Sequence, residues 1–162
     1  MARVVRLIGL SLVVVLVTLG ANTQVAYGDP GTIDITAPPA VTSWELAIGD
    51  YPDNERTGLL MVTSDTGWTV TATDADTANT TGQMTSYNGT AYDTGTKLDN
   101  PMKVGCAAQS TEATMPNGGT VASGSGDANL TIFFRQKIEY RDPVLSAGNY
   151  YRIVVTFTGS TL

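Results

Sequence analysis

The chain has 162 residues, with 15 acidic against 9 basic side chains, a net charge of −6, no histidine and one cysteine, Cys106. That acidity argues against a nucleic-acid partner, whose phosphates need a basic surface. The missing histidine removes Ser-His-Asp and Cys-His machinery and the common zinc sites.

The first segment reads as an export signal. Arg3 and Arg6 precede an apolar run from Leu7 to Leu19, and Ala26-Tyr27-Gly28 supplies small residues at −3 and −1 of a cleavage site. The expectation is a signal peptide over 1–28 and one domain over 29–162, long enough for a core of its own. A membrane anchor is the rival reading, but the apolar run falls short of the ~20 residues a spanning helix needs. Loss of Arg3 and Arg6 leaves seven basic residues against fifteen acidic ones, so the net charge moves from −6 to −8. The expected location is extracellular, at the cell surface, with no membrane insertion after cleavage and no covalent C-terminal anchor.

After the signal, apolar residues alternate with period two between turn residues, the mark of half-buried strands. Ile33 and Ile35 make a short first strand closed by Pro38-Pro39. Residues 29–39 are either an ordinary edge strand or a detachable one that adds to a neighbour's sheet. Trp44, Leu46 and Ile48 share a face. Gly58 to Thr63 is apolar on both faces, which predicts a doubly covered strand. Trp68, Val70 and Ala72 alternate with Thr69, Thr71 and Thr73. Met102 and Val104 suggest another strand. The polar stretches Asp74 to Lys97 and Ala107 to Asn129 are long for plain connections, so they are partly strand or functional loops. A strong strand is predicted from Leu130 to Tyr140 and another from Asn149 to Thr158, where Tyr151, Ile153, Val155 and Phe157 line one face. The short link Arg141 to Leu145 predicts that these two pair antiparallel. Gly148-Asn149-Tyr150 reads as a sandwich corner with one of Tyr150 and Tyr151 tied to the backbone. Seven or eight such strands predict an all-β sandwich of two antiparallel sheets with Greek-key, immunoglobulin-like connections, a closed barrel being the alternative.

Few residues point to chemistry. Asp74-x-Asp76 places two carboxylates in one loop, as a calcium site needs, although acids also decorate turns by bonding their own backbone. Asn79, Asn88 and Asn129 each head an Asn-x-Thr acceptor for glycans. Trp44 and Trp68 are either a sugar-stacking platform or core. Cys106 cannot form an internal disulfide, so it is a buried apolar residue or a link to another chain. No paired acids signal a shared cleft, so neither catalysis nor an obligatory cofactor is expected.

Trp44 to Leu46, Gly67 to Val70, Phe134 to Asp142 and Ala147 to Phe157 together resemble secreted immunoglobulin-like surface proteins of archaea and bacteria. The closing strand is similar to those of fimbrial and WxL-type cell-surface domains, with one Trp-x-Leu where WxL domains carry two. The resemblance implies a cell-envelope or appendage subunit. Surplus apolar positions point the same way: Leu59, Met61, Tyr150 and Val154, with Ile33 and Ile35 of the first strand, are the expected subunit interface. The function expected is structural, a homopolymer forming a sheath, surface layer or pilus-like filament. The alternative is a secreted module that binds cell-wall glycans or a partner protein.

Overall fold

The computed structural model describes residues 31–50 and 54–162, together with the backbone of Leu12–Val17. The strands are β1 (Leu12–Val17), β2 (Ile33–Thr36), β3 (Glu55–Ser64), β4 (Gly67–Asp74), β5 (Thr85–Tyr87), β6 (Tyr92–Lys97), β7 (Lys103–Cys106), β8 (Thr111–Thr114), β9 (Gly119–Ser125), β10 (Ala128–Arg135) and β11 (Tyr150–Thr161). Two sheets face each other. One has the order β6-β5-β11-β4-β9 with β1 added to β11; the other runs β2-β3-β10-β7-β8. Every pairing is antiparallel except that of β1 with β11, which is parallel. Apart from β1, the described residues thus form an all-β sandwich with two five-stranded sheets.

The alternation of apolar residues decides which side of each sheet is buried. On β4, Trp68, Val70 and Ala72 point inward and the intervening threonines are half-buried on the other side. On β11, Tyr151, Ile153, Val155 and Phe157 face the core, and on β10 Ile132 and Phe134 face them from the opposite sheet. Phe134 and Phe157 meet edge to face across the interior, with ring centroids 6.4 Å apart. Each such side chain contributes roughly 1.5–3 kcal/mol by leaving water, so this interleaved layer is the main cohesion of the sandwich.

The strand count is ten in the two antiparallel sheets, above the seven or eight expected, because both long polar stretches are partly strand. Asp74 to Lys97 contains β5 and β6, and Ala107 to Asn129 contains β8 and β9. Three further expectations need correction. The strand from Leu130 stops at Arg135. Beyond it the buried Gln136 amide donates to the carbonyls of Asn100 and Lys137, Ile138 bridges to Gly49, and Tyr140 is 85% exposed. Trp44 to Ile48 forms no strand. Trp44 and Leu46 are buried and Ile48 is exposed, while the Asn54 side chain bonds the backbone of Ala47 and Gly49 in place of a strand partner. Finally, β10 and β11 do not pair. Both edges of β10 are taken by β3 and β7, so the chain after it crosses to the other sheet.

Candidate assembly edge

The position of β11 follows from its register. Arg152 pairs with both Thr85 of β5 and Leu12 of β1, and Val155, Thr156 and Phe157 pair with both β4 and β1. A strand residue has one neighbour on each side. Hence β4 and β5 lie in line along one edge of β11, and Leu12–Val17 runs along the other. Among the described residues β1 is the only strand on that second edge.

Hydrogen bonds fix which residues serve which edge. The Ala75 N–H donates to the Val154 carbonyl at 2.8 Å, and the Leu162 N–H donates to the Gly67 carbonyl at 2.8 Å. Even-numbered residues of β11 therefore address β4. By alternation, Ile153, Val155 and Phe157 turn their N–H and C=O groups to the second edge while their side chains fill the core. The edge reads Arg-Ile-Val-Val-Thr-Phe from Arg152 to Phe157, with no proline, no glycine and a single charge. Natural sheet edges are usually blunted by charges, prolines, bulges or short strands; this twelve-residue strand has no proline and only Arg152 as a charge.

A tyrosine cluster opens the same strand. Tyr150 and Arg152 face outward, opposite the buried Tyr151. The Tyr87 ring lies 4.9 Å from Tyr92 and 5.5 Å from Tyr150, and the Arg152 guanidinium sits 4.7 Å over Tyr87 and 5.4 Å from the centre of Tyr92. The Tyr92 hydroxyl and the Arg152 Nε are buried without a hydrogen-bond partner. Burial raises the Tyr92 pKa, Arg152 opposes that rise, and Asp76 and Asp74 add to it. The sequence reading missed this cluster. Its signal was the turn Asn88-Gly89 with Tyr87 and Tyr92 flanking it, a hairpin pattern that sets two aromatic residues side by side.

The predicted site residues fall in several places. Asp74 ends β4 and Asp76 lies in the loop that follows, next to the tyrosines, so they do not share one loop as expected, and each carboxylate is engaged locally. Asp74 accepts from the Asp76 N–H at 2.9 Å, the Thr80 hydroxyl at 2.6 Å and the Gly82 N–H at 2.7 Å. Both Asp76 oxygens accept from the Asn79 amide at 2.9 and 3.1 Å. Among the described residues no three acidic, His or Cys side chains converge. Asn79 is half-buried in that loop, whereas Asn88 and Asn129 are exposed, Asn129 opposite Met61 in the register of β10 and β3.

Leu59 and Met61 lie on the outer face of the second sheet at 48% and 41% exposure, so β3 is not doubly covered as expected. Ile35 is in the core and Ile33 packs against it, within a strand that pairs with β3 of its own sheet. Tyr150 belongs to the tyrosine cluster, and Val154 is nearly buried on the outer face of β11. Trp44 and Trp68 are both 1% exposed, so neither offers a stacking surface; the Trp68 indole donates to the Gly126 carbonyl at 2.7 Å. Cys106 is fully buried as a free thiol. The predicted cleavage site after Gly28 lies outside the described residues. No protein-family model matches the chain, and a search of curated proteins found no match.

Proposed function

We propose that this is a structural protein of the cell envelope that assembles outside the cell by adding strands between copies, the contact being the second edge of β11. The observation that carries the reading is the seat of Leu12–Val17: an apolar, β-branched segment completes the sheet there, and the sequence marks that segment for removal at export. Once it is gone, the N–H and C=O groups of Ile153, Val155 and Phe157 face water on an unblunted edge, which a strand of a second copy satisfies. The exposed Leu59 and Met61 offer a further apolar contact between laterally packed copies. The test is the mass in solution of the exported protein, with negative-stain images of the same sample. Ordered polymers are expected, and a monomer that persists at high concentration would overturn the proposal.

One observation favours a second reading, a secreted module that binds glycans. Tyr87, Tyr92 and Tyr150 with Arg152 form a half-buried aromatic and cationic surface, the kind on which sugar rings stack. Binding to a panel of cell-wall oligosaccharides that is lost on Tyr87→Ala would move this reading ahead. No binding across the panel would remove it.

A further inference from the structure

We propose that Leu12–Val17 is a plug that regulates the assembly edge: in the uncleaved chain it occupies the second edge of β11 in cis, and cleavage opens that edge to a second copy. This rests on the assembly reading above and adds its control. Three observations carry it. The segment is seated along the edge over six consecutive residue pairs, from Leu12 opposite Arg152 to Val17 opposite Phe157. It runs parallel to β11, whereas the strands of the two sheets themselves pair antiparallel throughout. It is therefore the pairing least like the rest of the fold, and parallel pairs are slightly weaker per residue, which suits a strand that must leave. Lastly, thirteen residues, 18–30, separate Val17 from Gly31. This tether contains the predicted cleavage site after Gly28.

The tether also sets the strength of the block. A strand linked in this way competes at an effective concentration in the millimolar range, against a second copy present at micromolar concentration. The uncleaved chain is thus expected to need a concentration on the order of a hundredfold higher to reach the same extent of association.

The test uses the full chain carrying a site-specific protease site after Gly28 and the pair Leu16→Cys with Thr156→Cys, which are register partners. Adjacent strands lie about 4.8 Å apart, within reach of a disulfide. Oxidation is expected to join the two cysteines, seen as a cross-linked peptide by mass spectrometry. The oxidised chain is expected to stay monomeric after protease treatment, and reduction of that nicked sample is expected to release the plug and start assembly. Failure of the disulfide to form would show that the segment does not sit on β11 and would overturn the proposal. So would assembly of the oxidised, nicked chain at the rate of the reduced one; polymers would then exist without this control, leaving the assembly reading intact. Loss of the thermal unfolding transition on reduction would mean that Leu12–Val17 is an integral strand and no plug. A folded monomer that never assembles in either state would sink the assembly reading itself.

Discussion

Two adjacent tyrosines open β11, and strand alternation sends them opposite ways. Tyr151 is buried, its hydroxyl donating to the Pro143 carbonyl, while Tyr150 joins the outer cluster. Sequence could mark the corner but not choose between the two, because alternation has no sign until the sheet's inner face is known. Tyr151→Phe leaves the Pro143 carbonyl without its donor and is expected to lower stability by about 1 kcal/mol, a fall of roughly 4 °C in the unfolding midpoint. Asp74 shows the same limit from another side. It closes β4 rather than lying in the loop that follows, and its partners were not legible either, since Thr80 and Gly82 return to it only through the fold of residues 75–84. Asp74→Ala removes an acceptor from three donors and is expected to lower stability by about 3 kcal/mol, while millimolar calcium leaves the wild-type midpoint unchanged. A calcium-dependent rise in midpoint that Asp74→Ala abolishes would restore the metal reading. Glu112 supplies a pH test. Hydrogen bonding from Lys103, and then from Arg135, holds its pKa below the ordinary 4.5 despite some opposition from burial. A carboxylate with a depressed folded pKa stabilises above its unfolded value, and that contribution is lost as pH falls through the folded one. Between neutral pH and 4.5 the wild-type and Glu112→Gln proteins should therefore differ by a constant offset, and the offset should shrink below pH 4.5. An offset unchanged at acid pH would remove Glu112 from the account.

At the scale of elements, legibility tracked apolar alternation. β4 and β11 were readable because every second residue is Trp, Val, Ala, Ile or Phe and the sheet needs no other cue. β5 and β6 were not, because Thr85-Ser86-Tyr87 and Tyr92 to Lys97 place polar residues on both sides and are held by their hairpin register. The pairing of β10 with β11 was misread for a different reason. A short link argues for adjacency only when both strands have an edge to spare, and β10 has none. Glycine positions carried information that only packing reveals. A Cβ on Gly105 of β7 would lie 2.6 Å from the Phe133 ring and would collide with the Thr111 carbonyl across the β7–β8 pair. Overpacking of this kind is worth about 1–3 kcal/mol, so Gly105→Ala is expected to lower the unfolding free energy by that amount, read as a lower denaturant midpoint at an unchanged m-value. An unchanged midpoint would mean that β8 moves aside freely.

For the whole molecule, the assembly proposed above leaves two candidate contacts between copies, the edge of β11 and the outer face of β3. The two surfaces belong to different sheets, so charges placed on each separate them. Thr156 is half-buried and points outward at the centre of the β11 edge, opposite Leu16 on one side and Thr73 on the other. Lysine on an edge strand is a common natural guard against pairing, and an outward lysine stem keeps its charge in water. Thr156→Lys is therefore expected to leave the thermal midpoint of the cleaved monomer nearly unchanged while abolishing polymers in negative stain. Leu59 is 48% exposed on the opposite face, where a lysine has no strand to exclude. Leu59→Lys is expected to loosen lateral packing of polymers without preventing their growth. The reverse pattern, growth with Thr156→Lys and none with Leu59→Lys, would move the contact to the outer face of β3 and with it the reason for the surplus apolar residues there. The asymmetry expected follows from what each surface lacks. The face lacks only cover for two apolar side chains, while the edge, once Leu12–Val17 is removed, lacks hydrogen-bond partners for three residues, and an unmet set of backbone groups directs one strand to one place.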